Sequence, residues 1–338
     1  MFVPRKIFPR YNISLADFKG HHVKALTKLT HLAPQIDMVL EVRDSRAPIS
    51  TRNVLFDKPL QGKEKIVLYS KNDLSGVPID LLKKWHNNKE RFMMIDCRNG
   101  GDMKRLIQMI REKHDRMHPK PPLGVRVIIT GMPNVGKSTL VNTLRKIGLN
   151  RTKNVARTGG QPGVTRSTSE IIRVHQNPEI LVYDTPGVFL PKMKDVETMM
   201  SLALVGTIKP IKIDPVMVAD YLLFVLNLQD PTGSKYRKYI KHPTNDIYEL
   251  LEKIAERIKR VRRTKNGIQI DEIGSSLHFI DEWKQGRMGK CLFDLDAIKE
   301  IDQLEFQENY DEERLRVNYE IKPKVNRQAN ASNALFEL

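Results

Sequence analysis

Two short runs constrain this chain more than anything else in it, because they occur in an unusual order. Gly131-Met132-Pro133-Asn134-Val135-Gly136-Lys137-Ser138 matches Gly-x4-Gly-Lys-Ser, follows the apolar stretch Val125 to Thr130 and precedes a helical stretch. In that context glycines let backbone N–H groups face phosphate oxygens, and the helix N-terminus adds positive charge. Lys137 is expected to reach the terminal phosphates and Ser138 to ligate Mg2+, with Asn134, Val135, Gly136 and Thr139 completing the cradle. Ser70-Lys71-Asn72-Asp73 is a near match to Asn-Lys-x-Asp. The Asp73 carboxylate can accept from N1–H and the exocyclic amine of guanine while the Lys71 stem covers the ring; adenine lacks that donor pair. Most GTP-binding domains carry the phosphate run first. The reversed order implies a circularly permuted domain.

Short β-branched or apolar runs at 38–42, 66–69, 92–95, 125–130, 171–174 and 180–183 alternate with helical stretches. That is the pattern of an α/β domain with a mostly parallel sheet. Each suggestive motif follows the C-terminal end of one run, where open α/β sheets place ligands. After Gly187 the apolar residues recur at helical spacing, which predicts a smaller helical domain. Its clearest helix is expected from Asn245 to about Arg263, with Ile247, Leu250, Leu251, Ile254, Ile258 and Val261 on one stripe and Lys253, Arg257, Lys259, Arg260, Arg262 and Arg263 opposite. Leu277, Ile280 and Trp283 mark another. The expected layout is a transit segment at 1–16, a permuted domain at 17–205, a helical domain at 206–322 and a loose tail at 323–338.

Lys and Arg number 57 against 40 Asp and Glu, a net charge of +17. Such a balance favours a polyanionic partner such as nucleic acid. Cys97 and Cys291 lack metal-ligand spacing and suggest no disulfide framework. The most apolar stretch, Tyr221 to Leu228, is far shorter than the roughly 20 residues a membrane span needs. Arg5, Lys6 and Arg10 precede the first acidic residue, Asp17. That is the charge bias, without the usual serines, of a transit peptide.

Asp184-Thr185-Pro186-Gly187 ends the last strand run, where Asp184 can hold the Mg2+ shell and the Gly187 N–H can meet a γ-phosphate. Between it and Lys137 lies Gly159-Gly160-Gln161-Pro162-Gly163-Val164-Thr165, a loop whose Thr165 would sense Mg2+ and γ-phosphate. Ser70 stands where Asn is usual, which is expected to loosen the support of neighbouring loops. Asp96-Cys97 follows the third strand, where a loop can close over the guanine edge.

With Asp44-Ser45-Arg46-Ala47-Pro48 and Phe18-Lys19-Gly20-His21-His22-Val23-Lys24-Ala25 upstream, the motif order resembles the YlqF/RbgA family of circularly permuted, ribosome-assembly GTPases. Leu202 to Lys209 and Phe279 to Lys290 resemble segments of its C-terminal domain, and the basic start resembles its mitochondrial branch. The resemblance implies a GTPase that binds the large mitochondrial ribosomal subunit through rRNA, acts in its assembly and is released by hydrolysis. It also implies that rRNA or K+ near Asn134 completes the site and that an N-terminal histidine takes part. His21 is the matching candidate, with His22 beside it. Val188 occupies the position where many GTPases carry a water-orienting glutamine, so intrinsic hydrolysis should be slow. A monomer in the mitochondrial matrix, in peripheral contact with the inner membrane, is expected. The competing readings are a GTP-binding RNA scaffold with little turnover and, disfavoured by Lys71 and Asp73, an ATP-dependent enzyme.

Overall fold

A computed structural model describes residues 2–9, 11, 22–87, 90–151, 171–185, 187–188, 190, 193–208, 213–264, 267–299 and 301–321. Its sheet has six strands: β1 (Met38–Asp44), β2 (Glu64–Ser70), β3 (Arg91–Met94), β4 (Val125–Thr130), β5 (Ile171–Gln176) and β6 (Glu179–Asp184). They lie in the order β3-β2-β1-β4-β6-β5, all parallel except β5, which runs antiparallel to β6. All six fall on the predicted runs. β1 is buried along its whole length, as a central strand covered on both faces must be. The connections from β1 and β4 leave the sheet in opposite directions along the strand order, so their C-terminal ends form the crevice where such sheets bind ligands.

Helices α1 (His22–Leu32), α2 (Ile79–His86), α3 (Gly100–Arg116) and α4 (Lys137–Leu149) precede β5. Asn99 caps α3 by accepting from the Gly101 and Asp102 N–H groups. After β6 come α5 (Val196–Leu204), α6 (Pro215–Gln229), α7 (Ile247–Arg257), α8 (Glu272–Lys284), α9 (Leu295–Ile298) and α10 (Gln303–Ile321). Asp195, Asp214, Asp246 and Asp271 each cap the next helix along the chain. Such caps contribute about 1 kcal/mol apiece. The apolar stretch around Tyr221 to Leu228 lies in α6, a helix buried nearly all round and packed by α5, α7 and α8. Among the described residues no helix is long and apolar enough to cross a membrane.

The helix expected to reach Arg263 stops at Arg257. Lys259 adopts a left-handed φ of 59°, and β7 (Val261–Thr264) pairs with β8 (Gly267–Ile270) instead. The strand pair takes over where the apolar periodicity carried the expected helix too far. Lys259 and Arg260 therefore lie beyond the helix, and Arg260 pairs with Asp271, so the expected continuous basic face is not formed. Leu277, Ile280 and Trp283 lie on α8 as expected, Leu277 45% exposed and the other two buried.

Two long-range attachments tie the chain's ends to the fold. Phe8 is buried against Tyr221 and Phe224, Arg5 pairs with the buried Asp220 at 2.6 Å, and the Tyr11 hydroxyl donates to the same carboxylate. Residues within the expected transit segment are thus packed on α6. At the other end α10 returns to α2: the Trp85 and Phe306 rings stack at 4.8 Å, and Arg52 pairs with Glu313. The expected tail at 323–338 lies outside the described residues.

Candidate nucleotide-binding site

The phosphate loop joins β4 to α4 around the crevice. Gly131 has a φ of 141°, and a Cβ there would sit 2.3 Å from the Val42 carbonyl oxygen, so a side chain is excluded on both counts. Lys137 is buried, and its Nζ donates to the loop's own Gly131 and Met132 carbonyls at 3.0 and 2.6 Å. Burial draws its pKa down to about 8, with Asp184 opposing the shift. Ser138 and Thr139 come next in the first turn of α4, half-buried. Asn134 has a φ of 58° and donates from its side-chain amide to the Gly206 carbonyl at 2.7 Å, linking the loop to the segment after α5. Val135 is buried beneath it.

Asp184 ends β6 beside this loop. Burial pushes its carboxyl above the usual range, Lys137 opposing, and its Oδ1 is buried without a hydrogen-bond partner. A desolvated carboxylate oxygen left unsatisfied is suited to a cation or its water shell, so the residues present fit Mg2+. A Cβ on Gly187 would lie 2.7 Å from Pro133, so the segment after β6 touches the phosphate loop. Next to it Val188 is buried, and its carbonyl accepts from the Asn53 amide at 2.7 Å. Thr165 and His21 lie outside the described residues; His22 begins α1.

The base-reading run meets the phosphate loop from β2. The Ser70 hydroxyl lies 2.5 Å from the Val135 carbonyl and 3.0 Å from that of Arg43. Serine thus ties β2 to the phosphate loop and to β1, whose Asp44 lies opposite Ser70. Lys71 takes a left-handed φ of 57°, and its Nζ donates to the Asn134 carbonyl at 3.0 Å and to Asp44 at 2.6 Å. Asn72 and Asp73 form a single 3-10 turn in which the Asp73 carboxylate is exposed. The Asp96 carboxylate accepts from the Arg98 N–H within its own turn. Cys97 is buried, 3.3 Å from where a Cβ on Gly136 would stand, and burial pushes its thiol up to about 12.

The turn at Lys71 to Asp73, a phosphate loop and an unsatisfied strand-end aspartate thus converge at one crevice. A family model described as "50S ribosome-binding GTPase" matches residues 126–266. "Mitochondrial GTPase 1" of Saccharomyces cerevisiae is 38% identical, over 93% of this chain and 89% of its own. The chain belongs to the mitochondrial GTPase 1 family. It is a GTPase, built as a circularly permuted P-loop domain with helical parts. "Mitochondrial ribosome-associated GTPase 1" of Ictalurus punctatus is 32% identical, over 82% of this chain and 91% of its own. The fold is also that of the GNP-bound YlqF from T. maritima, at 21% identity and a TM-score of 0.52, covering 80% of this chain and 97% of that one.

Within this site, residue patterns alone left three contributors without a role. Asp44 and Arg46 stood out only through family resemblance, and Asn53 not at all. Their position after β1, in the same crevice, was the available signal.

Proposed function

We propose that this GTPase works in mitochondria on the large ribosomal subunit, docking through rRNA during assembly and leaving when GTP is hydrolysed. The relatives' names, their near full-length match and the net charge of +17 support this reading. The observation that carries it is Val188. An aliphatic side chain, buried and with its backbone carbonyl held by Asn53, cannot orient a water, so efficient hydrolysis must draw on a group from elsewhere.

In this reading Lys71 and Asp73 recognise guanine, Ser70 and Asn72 hold their turn, and Asp96-Cys97 line the base edge. Asn134 to Thr139 cradle the phosphates, and Gly187 meets the γ-phosphate. Ser138 and Thr165 ligate Mg2+, with Asp184 holding its shell. Mg2+, when bound, neutralises charge developing on the phosphoryl oxygens. Thr165 and Asp184 report the nucleotide state, K+ sits near Asn134, and His21 takes part in hydrolysis once the ribosomal subunit is engaged. The protein is a monomer of the matrix with peripheral contact to the inner membrane. Its rRNA contacts are mostly to phosphates, so binding weakens steeply with salt.

The test is GTP hydrolysis by the purified protein with and without large mitochondrial ribosomal subunits, in potassium and in sodium buffer. Stimulation by subunits, lost on His21→Ala, supports the proposal. Subunit binding with no stimulation in either salt would instead identify a GTP-binding scaffold, the second reading that Val188 favours.

A further inference from the structure

We propose that Asp44 and Arg46 are positioning residues for guanine recognition. Asp44 holds Lys71 in its working position, and Arg46, seated on Trp283, makes that hold depend on α8. This rests on the reading of Lys71 and Asp73 as the guanine-recognising pair.

Lysine is a poor candidate for covering a ring unaided. Its four-carbon stem is flexible and its ammonium is a point charge, so ordering it over a base costs rotamer entropy on each binding event. Here the ordering is done within the protein. Asp44 is fully buried at the end of β1, and Lys71 donates to its Oδ2 at 2.6 Å. A second Lys71 bond, to the Asn134 carbonyl at 3.0 Å, fixes the direction of the stem. The left-handed backbone of Lys71 is uncommon for a residue with a Cβ and persists where surroundings over-determine it.

Asp44 is itself locked. The Arg46 guanidinium binds both its oxygens, Nε to Oδ1 at 2.9 Å and Nη2 to Oδ2 at 2.8 Å, while the Arg46 backbone N–H donates to Oδ1 at 3.1 Å. A two-point fork fixes the plane of the carboxylate as a single ammonium could not. Arg46 in turn is tied to the C-terminal part of the chain. Its guanidinium carbon lies 4.8 Å from the centre of the Trp283 ring, and its carbonyl accepts from the Phe293 N–H at 2.7 Å. Trp283 meets Phe293 edge-on at 4.4 Å. One continuous set of contacts therefore runs from the base-reading turn to α8.

A structural role for the Asp44–Arg46 pair would stabilise the fold without acting through Lys71, and a binding cycle separates the two. The full-length wild type, Lys71→Met, Asp44→Asn and the double variant are titrated with fluorescent GDP, with ADP as competitor, alongside thermal melts. A wild type without preference for GDP over ADP would sink the underlying reading of the site, whatever the variants do. Given that preference, Asp44→Asn raises the GDP Kd about tenfold or more, as expected for losing a charged hydrogen bond. The same substitution adds less than about twofold in the Lys71→Met background, because its partner is already gone. Losses that simply add overturn the positioning role. Should Asp44→Asn fail to fold, Arg46→Lys, which keeps the charge and loses the fork, replaces it in the same cycle. For the link to α8, Trp283→Leu weakens GDP binding several-fold only when Lys71 is present; a folded Trp283→Leu protein with wild-type affinity overturns that half.

Discussion

The two halves of the nucleotide crevice are finished to different degrees. On the base side, the buried Asp44 carboxylate has two cations, Arg46 and Lys71, which outweigh the effect of burial and hold its pKa well below the usual carboxylate range. On the phosphate side Lys137 rests on backbone carbonyls, and Asp184 has a buried oxygen with no partner. Burial shifts both toward their neutral forms. The base half is assembled by the fold, whereas the phosphate half has charges that a nucleotide and its cation would satisfy. Mutation should consequently weaken binding in both halves but lower stability only in the base half.

The largest effect is expected from breaking the finished half. Asp44→Asn leaves Arg46 without its buried partner and should destabilise the fold by about 3–5 kcal/mol, read in a denaturant titration. Lys137→Ala should leave the melting temperature unchanged or higher, since it removes a desolvated charge, yet weaken GDP binding about 100-fold in the fluorescence assay. A large fall in melting temperature for Lys137→Ala would erase the contrast.

The pH dependence sharpens it. With its pKa drawn from 10.5 to about 8, Lys137 is protonated in both folded and unfolded chains below pH 8. Between about 8 and 10.5 the unfolded chain binds more protons, so this residue's penalty fades and stability rises with pH. With the charged Lys137 holding the phosphates, as proposed, affinity should fall over the same window, about tenfold by pH 9, and this dependence should vanish in Lys137→Ala. The smallest effect is expected where the halves touch. Ser70→Ala removes the hydroxyl contact to the Val135 carbonyl and should cost about 1 kcal/mol in melting experiments, with a GDP Kd raised less than tenfold.

How far these features were readable before the fold was known divides along the same line. All six strands and the phosphate loop were legible because each rests on local chemistry: apolar runs, glycines and a lysine at fixed spacing. The helix through Arg263 was misread because Ile258 and Val261 continue the apolar periodicity of α7, although the chain turns at Lys259 and Val261 begins a strand. The contact of Ser70 with the Val135 carbonyl was not legible, because it joins segments 65 residues apart that no single run encodes. Asp44 and Arg46 carry the shape of a polar turn in sequence, and the ion pair from Asp44 to Lys71 spans residues far apart in the chain.

The order of the base-reading and phosphate-binding runs, a property of the sequence alone, determined that this is a circularly permuted nucleotide-binding domain, because covalent order survives any folding. Periodicity likewise announced a sheet and then a set of helices. Only the tertiary structure decided which charges are paired. Burial and strand register place Asp44 between Arg46 and Lys71, leave Asp184 unsatisfied, seat Phe8 on α6 and set Arg46 against Trp283. Those are distances between segments remote along the chain, and they exist only once the sheet and the helices have packed.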